Sequence, residues 1–68
     1  MKTIRELRED RGLTQFELAI RVGVTPISIH NWEFGKSAPG ASRLRALADA
    51  LGVRMDDIRL VKRHGERK

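Results

Sequence analysis

The segment that most constrains the fold is VGVTPIS, residues 22–28, where one amphipathic helix must end and another begin. Gly23 is typical of a residue that ends a helix in the left-handed conformation. Thr25 can cap the next helix, and Pro26 is favoured at its first position, where a backbone N–H is not needed. Val24 is apolar, so we expect it to be buried and to fix the angle between the helices. This arrangement predicts a helix-turn-helix unit.

The rest of the chain also predicts helices, because no stretch shows sustained alternation of apolar and polar residues. Thr14 and Glu17 have the spacing of a capping box at the start of the second helix. The sequence therefore predicts an all-α, compact five-helix bundle in one domain, residues 1–61, followed by a basic tail, residues 62–68. The five helices are expected over about residues 2–11, 14–23, 25–34, 41–51 and 55–61.

The net charge of the chain favours one class of binding partner. The 68 residues have a net charge of +5, and ten of the fourteen basic residues are arginine. The planar guanidinium group matches phosphates and guanine edges better than the lysine ammonium does. An excess of positive charge in so small a chain favours an anionic partner, above all nucleic acid. Because nine acidic residues are interspersed, an ordinary solvated surface is the alternative.

Other functional classes lack support in the sequence. There is no cysteine, and His30 and His64 are too far apart to indicate a metal site, so we expect no cofactor. No apolar run approaches the ~20 residues of a membrane span, and the N-terminus is charged where a signal peptide would be apolar. No nucleophile stands beside a base, so neither an enzyme nor a small-molecule substrate is expected. The expected location is the cytoplasm, at the nucleoid.

The third predicted helix has two unlike faces. At about 100° per residue, Ile29, Trp32 and Glu33 share the side that would pack on the first two helices. A solvated opposite side would carry Glu, Lys and Gln, whereas grouped apolar side chains mark a contact surface. The residues on that opposite side combine large apolar groups with hydrogen-bonding ones: Ile27, His30, Asn31 and Phe34.

The segments LTQFELAIRVGVTPISIHNWEFGK and LRALADALGV carry a resemblance that covers about residues 4–58. They resemble the helix-turn-helix domain of the phage-repressor and Cro (XRE) type. The resemblance implies a lambda-repressor-like fold whose third helix enters the major groove of double-stranded DNA, and a role in transcription regulation. Relatives often act as homodimers on DNA. It also implies a buried ion pair between Arg8 and Glu33, both of which fall on core-facing positions.

The resemblance implies a set of base contacts centred on the third helix. The Asn31 amide can bond adenine through two hydrogen bonds. Pro26 and Ile27 depart from the polar residues common at these positions, but they can pack on thymine methyl groups, or Pro26 can simply start the helix. The residues expected to contact bases are Ile27, Ser28, Asn31, Gln15, Pro26 and His30.

Phosphate contacts are expected at helix starts and in the loop after the third helix. Free N–H groups at a helix start favour a phosphate, and basic side chains add charge. The alternative is an exposed side chain near a cap for Gln15, a solvated loop for the residues after the third helix, and a capping role alone for Thr25. The set is Thr14, Gln15, Thr25, Lys36, Ser37, Ser42 and Arg43.

Phe16 and Ile20 form an apolar ridge on the second helix, where the family often has polar residues. Either the ridge packs under the C-terminal segment, or it is a surface for a partner or for self-association. The second possibility keeps a rival function open, a protein-interaction module such as the antitoxin of a toxin–antitoxin pair. Architectural DNA binding without sequence preference is a further alternative.

Overall fold

The computed structural model of the protein describes residues 1–61, so the expected tail, residues 62–68, lies outside the described residues. A single 3₁₀ turn, Met55–Asp57, follows the last α-helix. Two strands of two residues each, β1 (Lys2–Thr3) and β2 (Ile58–Arg59), pair in parallel. The α-helices are α1 (Ile4–Asp10), α2 (Gln15–Val22), α3 (Pro26–Glu33) and α4 (Ala41–Leu51).

Helix α1 begins two residues later than expected, because Lys2 and Thr3 belong to a strand. Thr3 caps the helix: its Oγ1 accepts from the Glu6 N–H at 3.2 Å, and Glu6 Oε1 accepts from the Thr3 N–H at 2.9 Å. The second bond favours the charged carboxylate and holds the pKa of Glu6 below its usual range. This reciprocal capping fixes where the strand ends and the helix starts.

The turn between α2 and α3 has the predicted form. Gly23 adopts φ 86°, in the left-handed region, and the Val24 N–H donates to the Ala19 carbonyl at 3.0 Å. Val24 packs against the core. Helix α3 then starts with Thr25 as its cap and Pro26 in its first position. The expectation of a helix-turn-helix is therefore confirmed. The end of α2 and the start of α3 are both determined by residues in the turn itself.

The predicted fifth helix is wrong. Residues 55–57 form only a 3₁₀ turn, and Ile58 is extended and pairs with Lys2. Arg54 has no short side-chain acceptor to cap a helix; instead, Asp57 Oδ2 accepts from the Arg54 N–H at 3.4 Å. Burial of Ile58 against the core and the bonds of the strand pair favour the extended form over a further turn of helix. The fold class is corrected, for residues 1–61, to a bundle of four α-helices with a small parallel strand pair.

The core lies between α2, α3 and α4 and is closed by residues next to the strand pair. Ile4 and Ile58 bring the two ends of the described chain into it. Trp32 is buried there, in agreement with the packing role expected of it. None of the helices within residues 1–61 is long and apolar enough to cross a bilayer. The largest fully buried side chains of the core are Ile4, Leu18, Ile29, Leu47 and Leu51.

Candidate nucleic-acid interface

The inner face of α3 is anchored by a buried ion pair. Arg8 Nε donates to Glu33 Oε2 at 2.6 Å, and Arg8 Nη2 donates to Glu33 Oε1 at 3.2 Å. The Glu33 side chain is 1% exposed and that of Arg8 is 12% exposed. Arg8 Nη1 also donates to the Leu13 carbonyl at 2.8 Å, and the bond to Glu33 raises the pKa of Arg8. A two-bond pair of this kind fixes the orientation of α3 against α1.

Gln15 joins the same network from the start of α2. Its Nε2 donates to Glu33 Oε1 at 3.0 Å, so Glu33 accepts from both preceding helices. A primary amide carries two N–H bonds, and only one of them is used here. Gln15 is half-buried, and its second N–H bond remains for an acceptor outside the network. The bond to Glu33 is a tertiary contact that no local sequence pattern indicates.

The outer face of α3 is most open to solvent at its two ends. Ile27 is 70% exposed near the start of the helix, and Phe34 is 52% exposed at its end. His30 and Asn31 lie between them and are half-buried. The rings of His30 and Phe34 stack with centroids 4.4 Å apart and an interplanar angle of 26°. This stack was not predicted, although the i, i+4 spacing of two rings on a helix is a signal for it.

The start of α3 presents two linked hydroxyl groups. Thr25 Oγ1 accepts from the Ser28 N–H at 3.2 Å and lies 3.1 Å from Ser28 Oγ. One hydroxyl must donate to the other, so the second hydroxyl keeps a hydrogen for another acceptor. Either arrangement presents one O–H donor beside Pro26, at the positive end of the helix dipole. The hydroxyl donor at the start of α3 is therefore suited to bind an anionic oxygen.

The start of α2 is capped in the predicted way. Thr14 Oγ1 accepts from the Glu17 N–H at 3.0 Å, and Glu17 Oε1 accepts from the Thr14 N–H at 2.9 Å. The Thr14 hydroxyl therefore acts as an acceptor inside the helix, and its hydrogen remains to be donated. Thr14 is exposed, so that hydrogen can reach a group outside the protein.

The loop after α3 and the start of α4 form a third donor region. The Lys36 N–H donates to the Asn31 carbonyl at 2.9 Å, which ties the loop to the end of α3. Leu44 makes the first intrahelical bond of α4, to the Gly40 carbonyl at 2.8 Å, so the N–H groups of residues 41–43 precede the bonded ladder. The exposed side chains of this region are Lys36, Ser37, Ser42 and Arg43.

Ion pairing differs between this region and the neighbourhood of α1. Lys2 of β1 pairs with Asp10 of α1, and Arg5 pairs with Glu9 within α1, so those positive charges are locally balanced. The ion pairs found within residues 1–61 do not include Lys36 or Arg43. Two free positive charges thus flank the exposed end of α3 and the start of α4, where an anion would be attracted.

The sequence-predicted site residues fall into two groups. Most lie on one connected part of the surface, formed by the start of α2, the outer face of α3 and the loop into α4. Arg8 and Glu33 lie instead in the buried network, which Gln15 links to the surface group. The surface residues are Thr14, Gln15, Thr25, Pro26, Ile27, Ser28, His30, Asn31, Lys36, Ser37, Ser42 and Arg43. What each of them contacts in a complex stays a prediction.

The chain is similar to a known family and to solved structures. A helix-turn-helix family model matches residues 4–58. The DNA-binding domain of the P22 c2 repressor, solved by nuclear magnetic resonance, superposes with a TM-score of 0.76 at 34% identity, covering 78% of this chain and 70% of that one. The P22 c2 repressor in a crystal with a synthetic operator gives the same TM-score and identity, over 78% of this chain and 80% of that one.

Two curated relatives differ in how much of their length the chain covers. A protein named uncharacterised HTH-type transcriptional regulator, from Methanothermobacter thermautotrophicus, is 43% identical over 63 residues, which are 91% of both chains. The multiprotein-bridging factor 1 of Candida albicans is 39% identical over 54 residues, or 79% of this chain. The chain spans only 36% of the length of that factor.

Proposed function

Because this chain belongs to the helix-turn-helix family of the phage-repressor and Cro type, we propose that it is a transcription regulator that binds specific sequences of double-stranded DNA. The observation that carries the proposal is the contrast across α3. Its inner face is held by the network of Arg8, Gln15 and Glu33, while its outer face carries Ile27, which is mostly exposed, and Asn31, which is half-buried. A rigidly held helix with an open, chemically mixed face suits the major groove.

Base reading in this proposal combines an apolar and a polar contact. Ile27 packs on thymine methyl groups, and the Asn31 amide bonds the N6 and N7 edge of an adenine one helical turn further on. Ser28, Pro26 and His30 contact neighbouring base edges, and the second N–H of Gln15 supports them from α2. The preferred site should therefore contain adenine–thymine pairs opposite the middle of α3.

Phosphate contacts set the position of the protein on the duplex. The donors are the hydroxyls of Thr14 and Thr25, the Gln15 amide, and the region at the start of α4, with Lys36, Ser37, Ser42 and Arg43. About five such contacts imply a slope near −4 to −5 when the logarithm of the affinity is plotted against the logarithm of salt concentration. The protein acts without catalysis and without a cofactor, where DNA is found, at the nucleoid of the cytoplasm.

The test is selection from a library of random duplexes at one fixed salt concentration, followed by titration of the winning site. We expect enrichment of a defined site, and a preference for it over random duplex of about 10³-fold or more. Equal affinity for all duplexes would instead indicate architectural binding. A salt slope near zero would reject DNA binding altogether. Arg5→Ala is a suitable control, since Arg5 is already paired on α1.

A further inference from the structure

Helix α2 has an outward side that the proposed DNA contacts do not use. Phe16 is 62% exposed and Ile20 is 64% exposed, and they are one turn apart on the same side. Glu17 and Arg21 are also exposed and lie beside them, again one turn apart. We call these four residues the α2 ridge. Another side of α2 packs in the core, where Leu18 and Ala19 are buried.

Two large apolar side chains on this ridge are not needed to hold the domain together. Phe16 and Ile20 remain exposed, so the packing of the ridge under the C-terminal segment, one of the two expectations, is not met within residues 1–61. Residues 62–68, with the sequence KRHGERK, contain no large apolar side chain that could cover them. Grouped apolar exposure on a small domain marks a contact surface.

We propose that the α2 ridge binds the same ridge on a second copy of this chain, with the two α2 helices antiparallel about a two-fold axis. On the ridge, Phe16 and Ile20 form one edge, and Glu17 and Arg21 form the other. A two-fold axis at right angles to both helices, level with the middle of α2, keeps each edge on its own side and reverses the helix direction. Phe16 then faces Ile20 of the second copy, and Glu17 faces Arg21.

The pattern of charge favours a second copy over a different protein. The acidic residue lies towards the start of α2 and the basic residue towards its end, at the same four-residue spacing as the apolar pair. Antiparallel pairing about a two-fold therefore sets each Glu17 against an Arg21 twice, while no like charges meet. A surface that complements itself in both apolar and ionic contacts is what an isologous interface requires.

The size of the ridge sets the strength of the contact. An aromatic side chain buries about 150–250 Å² at most, whereas a stable interface buries about 1,200–2,000 Å² in total. The ridge therefore supports a weak dimer, with a dissociation constant on the order of 0.1–1 mM. The DNA binding of the proposed function would bring two copies on one duplex to a comparable effective concentration, so a weak contact is sufficient there.

Self-association is tested on the full chain without DNA, so failure of the proposed DNA binding would not affect the result. Sedimentation equilibrium between about 0.02 and 2 mM should show a monomer converting to a dimer. Over the same range, amide nuclear magnetic resonance shifts should change with concentration mainly in residues of α2. Thermal melts of each variant at low concentration verify that the monomer stays folded.

Two isoleucines provide a matched pair of variants. Ile20 is 64% exposed on α2 and Ile27 is 70% exposed on α3. Ile20→Ser should weaken the dimer at least about tenfold, because it removes half of each apolar contact. Ile27→Ser removes the same kind of side chain from a position of similar exposure and should leave the dimer unchanged.

A charge exchange tests the two-fold arrangement itself. Arg21→Glu places two carboxylates opposite each other and should weaken the homodimer. Glu17→Arg does the same with two guanidinium groups. An equal mixture of the two variants should form a heterodimer at least as tight as the unaltered dimer, since each acidic ridge then faces a basic one.

Other outcomes would overturn the proposal. They are a protein that stays monomeric throughout the concentration range, a dimer that Ile20→Ser and Ile27→Ser weaken equally, or a charge mixture that remains monomeric. Contacts of Phe16 with residues 62–68 in the monomer, seen as nuclear Overhauser effects, would show that the chain covers its own ridge. Shift changes confined to another surface would place the interface elsewhere.

Discussion

The two faces of α3 carry apolar and polar groups in similar numbers but use them differently. On the inner face, Ile29 and Trp32 are buried and every oxygen of Glu33 is paired with a donor. On the outer face, Ile27 is mostly exposed, and Asn31 lies beside it. The inner face determines where the helix lies, and the outer face determines what it can contact.

Stability and recognition are therefore separable within one helix of eight residues. Substitutions on the inner face should lower the free energy of unfolding, and only through it the binding of DNA. Substitutions on the outer face should change binding while the free energy of unfolding stays within about 0.5 kcal/mol. Residues at the boundary between the two faces should affect both quantities.

The largest effect is expected from Glu33→Ala. Removal of the carboxylate leaves the largely buried guanidinium of Arg8 without its partner and should lower the free energy of unfolding by about 3–5 kcal/mol. Urea unfolding followed by circular dichroism measures this. The double variant Arg8→Met with Glu33→Leu removes both charges and should recover most of the loss. A decrease below about 1 kcal/mol in the single variant would mean that the inner face is not held by this pair.

The next effect concerns the outer face. Asn31→Ala should reduce the preference for the selected site over random duplex by about 1–3 kcal/mol, or roughly 5- to 150-fold. The melting temperature should not change, because the Asn31 side chain is not part of the core. Competition binding at fixed salt measures the preference. A uniform loss of affinity for all duplexes would show instead that Asn31 contacts phosphate rather than a base.

A boundary residue should show both effects. Thr25→Ala removes the cap of α3 and should lower the free energy of unfolding by about 1 kcal/mol. It also removes one of the two linked hydroxyls, so binding should weaken for every duplex and the salt slope should fall. Thr25→Ser keeps the hydroxyl and is the control. Unchanged binding by the alanine variant would confine Thr25 to capping.

The smallest effect is expected from an exposed ion pair, and it tests whether burial accounts for the strength of the Arg8–Glu33 pair. Arg5 lies one turn before Arg8 on α1 and also pairs with a glutamate, but its side chain is 60% exposed. Arg5→Ala should lower the free energy of unfolding by no more than about 0.5 kcal/mol, because an exposed pair four residues apart contributes little. High salt should abolish even that difference, as a comparison of urea midpoints would show. If Arg5→Ala lowered the free energy of unfolding as much as Glu33→Ala, burial would not explain why the Arg8–Glu33 pair contributes more.

The elements that the sequence predicted well are those with local causes. The Thr14 and Glu17 capping box, the Gly23 stop and the Thr25 and Pro26 restart each depend on residues within four positions of one another. The division of α3 into a buried and an exposed face follows from its periodicity in the same way. Local capping and periodicity together explain why the helix-turn-helix could be predicted in detail.

The elements that were missed depend on contacts between distant parts of the chain. Strands of two residues are too short to show alternation, and β1 pairs with a segment more than fifty positions away. That pairing is what turns the expected fifth helix into an extended end. The bond from Gln15 to Glu33 likewise joins residues 18 apart and depends on how α2 lies across α3. The individual DNA contacts cannot be predicted from this chain alone, because they also depend on the duplex.

The parallel pairing of β1 with β2 has a topological consequence. Lys2 lies opposite Ile58 and Thr3 opposite Arg59, so residue 1 is level with residue 57, and residues 1 and 60 are separated by three strand positions along the pair and one strand spacing across it, about 11 Å. A linker of a few glycines could join these points, and the backbone could be opened instead in the loop near Ser37. Circularly permuted forms should therefore fold, and the domain could be grafted into a loop of a host protein with both junctions at one place.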